Sequence, residues 1–278
     1  MGSADEAVRP WRESAPYWEK YRETIRVMFA PVTEALVVGA SVGSGHTVLD
    51  IATGPGEPAL TIASMVGEGQ VWGIDPAPEM VEAARREATR LGLGNARFEV
   101  GFADQLPFAN DTFDAVVSRF GAMFFPSPTD AVREILRVQK PTGKLALVVW
   151  GSVERNPFFY ALDRVLERYI ETPPPAPDAP NAFRFSRPGE LLEVLNEAGV
   201  ANASERVLSF QIEAPISAED FWAVRSEMSE KLRARVAALG DRLPQVRQEA
   251  IEAFQEYAKG DGMSFASDVL IVSGSKRG

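Results

Sequence analysis

Two aspartates and two glycines have the types and the spacing needed to hold a nucleoside. Asp50 lies within the apolar run 48–52, and Gly54 and Gly56 follow this run directly. Nineteen residues after Gly56, Asp75 ends a second apolar run. Glycines let a backbone approach a ligand closely, and an acid about 20 residues downstream suits the hydroxyls of a ribose. The pattern predicts a nucleoside site at the ends of two strands.

The glycine turn also satisfies the dinucleotide fingerprint G-x-G-x-x-G/A through Gly54, Gly56 and Ala59. An NAD(P)-dependent oxidoreductase is therefore the alternative function. Asp50 opposes it, because a carboxylate repels a pyrophosphate and attracts a ligand that carries an ammonium group. The sequence also lacks a Tyr-x-x-x-Lys pair and a second histidine for hydride chemistry. A non-enzymatic binder with the same fold is a third option, which no sequence feature favours.

Composition limits the chemistry further. The 278 residues include no cysteine and one histidine, His46, so thiolate catalysis and disulfides are excluded and a metal site is not expected. The net charge of −10 disfavours a nucleic-acid partner, because binding to phosphates dominates such affinity. No apolar run reaches the ~20 residues of a membrane span, and the first 30 residues do not resemble a signal peptide. We expect a cytoplasmic protein.

Apolar runs alternate with helical patterns from residue 48 to residue 150, which predicts an α/β fold with a doubly wound, mostly parallel sheet. The pattern predicts seven strands, at 48–52, 71–74, 97–100, 113–118, 144–150, 207–212 and 269–272. It predicts helices or helical regions at 10–38, 58–66, 80–91, 129–138, 188–198 and 217–258. Residues 140–143 are expected to form a turn before the fifth strand.

Three segments follow from this pattern. Residues 1–46 are expected to form an N-terminal helical cap and a loop, and residues 47–150 the α/β core. Residues 151–278 are expected to complete the sheet. Within them, the insertions 151–187 and 214–262 would form a helical lid on the substrate side, stiffened by the proline-rich run that begins at residue 171.

The chain resembles the class I S-adenosylmethionine-dependent methyltransferases, in particular the bacterial small-molecule group that includes the quinone C-methyltransferases. Five segments carry the resemblance, in family order and at family-like spacing: 48–59, 71–80, 101–108, 111–120 and 136–144. The turn before the fifth strand departs from the family's Pro-Gly-Gly, since it is Pro141-Thr142-Gly143. The resemblance implies a Rossmann-like methyltransferase fold, S-adenosylmethionine as cofactor, and methyl transfer to a small-molecule acceptor by in-line displacement.

The resemblance also implies roles for residues. Asp50 and the backbone of Gly54 and Gly56 would face the methionine moiety, and Asp75 would accept from both ribose hydroxyls. Ile74 and Met80 would flank the adenine. The expected cofactor contacts are Tyr17, Asp50, Ala52, Thr53, Gly54, Gly56, Asp75, Pro76, Met80, Ala103, Asp104, Gln105, Ser118, Arg119 and Phe120.

The acceptor side is less defined. His46 and Arg119 are weak candidates for a catalytic role, and Met123, Phe124 and Phe158 for substrate contact. The acceptor is expected to be aromatic or isoprenoid-like, because phenylalanine and tryptophan are frequent near the predicted strand ends. Whether oxygen, nitrogen or carbon is methylated stays open, and so does the oligomeric state, with a homodimer as one option.

Overall fold

A computed structural model describes residues 4–171 and 179–277. Most of the proline-rich run that we expected to stiffen the lid lies outside these described residues. Among them, no helix has the length and apolar character needed to cross a bilayer.

The centre of the fold is a mixed sheet in which strand order reverses between β1 and β4. The strands are β1 Thr47–Ile51, β2 Gln70–Asp75, β3 Ala96–Val100, β4 Phe113–Arg119, β5 Gln139–Trp150, β6 Ala201–Ala214, β7 Ala258–Lys259 and β8 Gly262–Ser275. They lie in the order β3-β2-β1-β4-β5-β8-β6, and β7 pairs with β8. The pairs from β3 to β5 are parallel and β5 pairs antiparallel with β8. The predicted doubly wound, mostly parallel sheet is confirmed.

The helices are α1 Ala4–Lys20, α2 Arg22–Met28, α3 Ala30–Gly39, α4 Ala59–Met65, α5 Pro78–Leu91, α6 Pro128–Val138, α7 Pro157–Leu166, α8 Glu190–Ala198, α9 Ala218–Glu227, α10 Glu230–Ala237 and α11 Leu243–Gln255. Of these, α4, α5 and α6 connect parallel strands, as the alternating pattern predicts. The ends of α5 are marked in its sequence. Pro78 lies in its first turn, and Gly92, in the left-handed conformation, caps its C-terminus. Residues 48–51 of β1 are all buried, which explains why that strand is a continuous apolar run around Asp50.

The chain divides into two compact units. The described parts of the first unit are residues 4–30, 152–171 and 209–268, which are mainly helical and share a core of phenylalanines. The described parts of the second unit are residues 31–151 and 179–208 together with residues 269–277, and they contain the parallel strands. The proposed segment boundaries and the lid role of 151–187 and 214–262 stay predictions.

The late strands are longer than their sequence pattern indicates. β6 and β8 each have 14 residues, where we expected six and four. Most positions of β6 are exposed or half-buried, so polar residues interrupt the apolar signal along it. Residues 140–143, expected as a turn, lie within β5, where the register against β4 shifts and Thr142 has a φ of 64°.

Candidate functional site

Acidic side chains meet at the carboxyl ends of the central parallel strands. Asp50 on β1 is in register with Gly73 on β2 and with Val117 on β4. Asp75 ends β2, opposite Val100 on β3. Because the chain winds from β1 towards β3 and then crosses to β4, the gap between β1 and β4 is the topological switch point. Ligands of open α/β sheets bind at such a point.

Asp50 is a fully buried acid with one oxygen left unpaired. Its Oδ2 accepts hydrogen bonds from the Thr53 hydroxyl at 2.7 Å and from the Ala59 backbone N–H at 3.2 Å. Its Oδ1 is buried and has no hydrogen-bond partner. Burial raises the pKa of Asp50 to about 7, although the Thr53 hydrogen bond and the positive charge of Arg119 lower it. A buried carboxylate oxygen without a donor is a position for a cationic ligand group.

The glycine turn leaves open space beside its first glycine. Gly54 has a φ of 55°, and an added Cβ there would meet no heavy atom within 4 Å. Gly56 has a φ of 111°, and a Cβ there would lie 2.7 Å from Leu60 Cδ1. Gly54 is therefore needed for its conformation, and Gly56 for both its conformation and its close contact with α4.

Asp75 is held by the backbone and still has capacity to accept. Its Oδ2 accepts from the Gly54 N–H at 3.0 Å and its Oδ1 from the Ala77 N–H at 2.9 Å. Burial raises its pKa to about 6, and these two hydrogen bonds lower it in part. A carboxylate offers about four acceptor positions, so each oxygen retains one. That arrangement fits two neighbouring hydroxyls.

Two residues that are not glycine adopt the left-handed conformation beside these acids. Ala52 has a φ of 57° and Phe120 a φ of 62°. Each costs ~1–2 kcal/mol, and such strain concentrates at functional sites. The Phe120 ring stacks on Trp150 at 4.2 Å, with an interplanar angle of 3°. Ser118 is fully buried and donates to the Ile51 carbonyl at 2.7 Å, so its hydroxyl ties β4 to β1.

Arg119 places a positive charge close to Asp50. Its Nη1 donates to the Thr33 hydroxyl at 2.8 Å and its Nη2 to the Glu57 carbonyl at 3.4 Å. Burial lowers the pKa of Arg119, while Glu57 and Asp50 raise it. The end of the site near β1 and β4 thus has both a buried anion and a cation, which suits an amino acid zwitterion.

The turn after β3 presents the next predicted residues. Ala103 is buried, whereas Asp104 and Gln105 are exposed, and the Gln105 N–H closes a turn onto the Phe102 carbonyl at 3.2 Å. Phe102, two residues after the end of β3, is 36% exposed, although phenylalanine is among the residue types most often buried. We had not singled out Phe102. The sequence does mark this position, because Phe102 is the one aromatic residue between Gly101 and Asp104.

The predicted adenine contacts differ in accessibility. Met80 is 2% exposed and Ile74 is fully buried, so neither offers much surface to a ring in this conformation. Pro76 is half-buried and keeps an accessible face directly after Asp75. Pro76 and Phe102 have more accessible surface than Met80, and the adenine contacts of Ile74 and Met80 stay predictions.

His46 is the catalytic candidate that the structure argues against. It directly precedes β1, whereas the acids lie towards the carboxyl ends of the strands. The five residues of β1 separate it from that edge, about 17 Å at ~3.3 Å per residue. Its Nδ1 accepts from the Gly43 N–H at 3.2 Å, so the imidazole closes the loop of residues 39–46. This position is unfavourable for contact with the acids, and the catalytic role of His46 stays a prediction.

The remaining candidates are divided between the two units. In the second unit, Met123 is 1% exposed and Phe124 is half-buried. In the first unit, Tyr17 lies beneath the Arg233 guanidinium at 4.7 Å. Phe158, also in the first unit, is 3% exposed. Its ring packs edge-on against four other phenylalanines, Phe29, Phe159, Phe221 and Phe265. Cofactor contact by Tyr17 and substrate contact by Met123, Phe124 and Phe158 stay predictions.

Comparison with known proteins agrees with this geometry. Residues 48–143 match the family described as a methyltransferase domain. The uncharacterized methyltransferase YcgJ of Bacillus subtilis is 40% identical over 113 residues, which are 41% of this chain and 44% of that protein. The demethylmenaquinone methyltransferase of Deinococcus radiodurans is 34% identical over 139 residues, 47% of this chain and 57% of that protein. The crystal structure of YcgJ covers 90% of this chain and 99% of its own, with a TM-score of 0.59 and 25% identity.

The fold, with acids at its switch point, is that of a Rossmann-like α/β protein. Residues 48–143 match the methyltransferase domain family, so the resemblance to the S-adenosylmethionine-dependent methyltransferases that the sequence predicts is confirmed. The chain spans about half the length of the curated relatives it matches.

Proposed function

We propose that this protein is an S-adenosylmethionine-dependent methyltransferase that acts on a small-molecule acceptor. The observation that carries the proposal is the unpaired, buried Oδ1 of Asp50 at the switch point. A diphosphate would meet this carboxylate with like charge, whereas the ammonium group of the methionine moiety would satisfy it. The same oxygen therefore favours the methyl donor over a nicotinamide dinucleotide.

The residues at the site fit the cofactor along its length. Asp50 would accept from the ammonium group, and Arg119 would pair with the carboxylate of the same amino acid moiety. Asp75 would accept from the two ribose hydroxyls with the lone pairs that Gly54 and Ala77 leave free. At the adenine end, Pro76 and Phe102 offer apolar surface, and the exposed Asp104 can accept from the exocyclic amine. The remaining predicted contacts, Tyr17, Ala52, Thr53, Gly56, Met80, Ala103, Gln105, Ser118 and Phe120, belong to this proposal.

Catalysis would depend mainly on alignment. Bound S-adenosylmethionine supplies a methyl group on a positively charged sulfur, and a nucleophile on the opposite side displaces that sulfur. Holding two reactants in line can contribute ~7–11 kcal/mol to rate acceleration. The stacked rings of Phe120 and Trp150 at the ends of β4 and β5 would supply a rigid apolar wall beside the reacting groups.

An aromatic or isoprenoid-like acceptor is the class that we propose. Two relatives named as quinone-pathway methyltransferases, from Deinococcus radiodurans and Bdellovibrio bacteriovorus, support it. The net charge of −10 agrees with a small molecule in place of a nucleic acid. We further propose a cytoplasmic location, and sedimentation equilibrium would decide between a monomer and a homodimer.

Calorimetric titration with S-adenosylmethionine tests the cofactor assignment. The wild type should bind, and Asp50→Asn and Asp75→Ala should each weaken binding by about tenfold or more, since each removes charge-assisted contacts. Asp130→Asn is the matched control, because Asp130 is an exposed acid on α6 paired with Arg133. Undiminished affinity in both site variants, or tighter binding of NAD than of S-adenosylmethionine, would overturn the proposal.

Turnover is a separate question. Release of S-adenosylhomocysteine should depend on an added acceptor, and a panel of phenols, hydroquinones and prenylated quinols would identify its class. Tight cofactor binding without turnover across that panel would favour a non-enzymatic binder.

A further inference from the structure

Two arginines in the first unit contain buried nitrogens without a hydrogen-bond partner. They are Nε of Arg225 and both Nε and Nη2 of Arg235. Arg225 is 7% exposed, and the side chain of Arg235 is 12% exposed. Guanidinium groups are rarely buried without a paired anion, because desolvation of the charge is then uncompensated. Among the described residues, Asp163 is the one anion that pairs with Arg235, so the three unsatisfied nitrogens leave capacity for one further anion.

Aromatic rings restrict the direction from which such an anion can approach. The Cζ of Arg225, on α9, lies 4.4 Å from the ring centroid of Phe158 and 5.0 Å from that of Phe159, both on α7. Cation–π contacts stabilise the charge through the face of the guanidinium. They leave the in-plane Nε–H group of Arg225 without an acceptor. An acceptor must enter in that plane, which is the geometry of a carboxylate bound by an arginine fork.

The charge balance of the cluster favours a monoanion. Asp163 accepts from Arg235 Nη1 at 2.5 Å, and its negative charge also acts on Arg225. Burial lowers the pKa of Arg225 to about 10, and Asp163 offsets this only in part. Two guanidinium groups and one carboxylate leave one excess positive charge. One carboxylate neutralises it, whereas a phosphate monoester would leave an excess negative charge.

We propose that Arg225 and Arg235 bind the carboxylate of an aromatic small molecule, with Phe158 and Phe159 beside its ring system. This site lies entirely within the first unit and does not depend on the proposed methyl transfer, because its occupancy is measured by binding alone. Phe158, predicted from the sequence as a substrate contact, would act here through its cation–π contact with Arg225.

Binding of 2-naphthoate to the full chain tests the site. Calorimetry and thermal unfolding should show binding to the wild type, and about tenfold weaker binding to Arg225→Met and Arg235→Met, because each loses a charge-assisted donor set. The neutral isostere 2-naphthamide should bind about tenfold less tightly than 2-naphthoate to the wild type. Arg164→Met is the matched control, since Arg164 is an exposed arginine on the same α7 with a cation–π contact to Tyr160 at 4.5 Å.

Three results would overturn the proposal. They are no binding of 2-naphthoate to the wild type up to about 10 mM, equal affinity in the wild type and both methionine variants, and tighter binding of 2-naphthyl phosphate than of 2-naphthoate. If Arg225→Met does not fold, Arg225→Lys decides, because it keeps the charge but lacks Nε–H and the planar fork. A purely structural arginine would change the melting temperature of that variant and leave its affinity for 2-naphthoate unchanged.

Discussion

Replacing Asp50 by asparagine should stabilise the free protein at pH 8 while it weakens cofactor binding. Burial raises the pKa of Asp50 from 3.8 to about 7. One pKa unit corresponds to about 1.4 kcal/mol, so keeping this acid ionised costs the folded state ~4 kcal/mol at pH 8. Asparagine retains an oxygen for Thr53 and Ala59, but it adds a buried N–H group without an acceptor, at ~1–3 kcal/mol. The expected net gain in the free energy of unfolding is ~1–3 kcal/mol.

The sign follows from proton linkage. The folded-state pKa of Asp50 lies above the unfolded one, so the folded protein binds the extra proton between pH 4 and pH 7. Stability therefore falls as the pH rises through that window. The gain from Asp50→Asn should be ~2.5 kcal/mol larger at pH 8 than at pH 5. Urea unfolding at both pH values, monitored by tryptophan fluorescence, measures it.

Asp114→Asn is a control of opposite sign. Burial raises the pKa of Asp114, but hydrogen bonds from Lys140 and from the Thr47 N–H outweigh it and lower the pKa overall. Asp114 thus contributes stability that is present above its unfolded pKa and lost as the pH falls through its folded one, so its replacement should destabilise the protein at both pH values. If Asp50→Asn were less stable than the wild type at pH 8, or if its effect did not vary with pH, the account of Asp50 as an unpaired buried acid would be wrong.

Three further outcomes are expected from the same geometry. S-adenosylmethionine should bind about tenfold more weakly at pH 6 than at pH 8, because protonation of Asp50 competes with the ammonium group; pH-independent affinity in calorimetry would contradict this. Gly56→Ala should destabilise the fold by ~2–4 kcal/mol, because its φ of 111° disfavours a side chain and the new Cβ would lie 2.7 Å from Leu60 Cδ1. A chemical unfolding midpoint equal to that of the wild type would refute the packing argument. Ala52→Gly should raise the free energy of unfolding by ~1 kcal/mol by relieving left-handed strain at a φ of 57°; a decrease in urea unfolding would show that the alanine methyl is needed for packing.

The parallel core was predictable because its signals are local. Buried strands such as β1 read as continuous apolar runs, and helix ends such as Pro78 and Gly92 are marked by residues with restricted or unusual backbone conformations. The lengths of β6 and β8 were not predictable from such runs, because polar residues occupy the exposed positions of a partly covered strand.

The two acids of the candidate site were predictable from the sequence, but the packing around them was not. Asp50 and Asp75 are visible as acids within apolar surroundings, which few sequences tolerate without a function. The accessibility of Phe102, the burial of Met80 and the pairing state of each oxygen of Asp50 depend on tertiary packing. The burial of Arg225 could not be predicted for the same reason, since only the fold shows that this charged residue packs against the rings of Phe158 and Phe159.

The loop around His46 contains a natural NMR reporter of folding for experiments in solution. His46 is the sole imidazole of the chain, it caps the loop before β1, and its Nδ1 accepts from the Gly43 amide. The imidazole proton resonances should therefore form one assignable set in a proton NMR spectrum. They should move to their random-coil positions on unfolding and stay in place while ligands titrate the opposite edge of the sheet, so a single signal separates loss of structure from loss of binding in every variant.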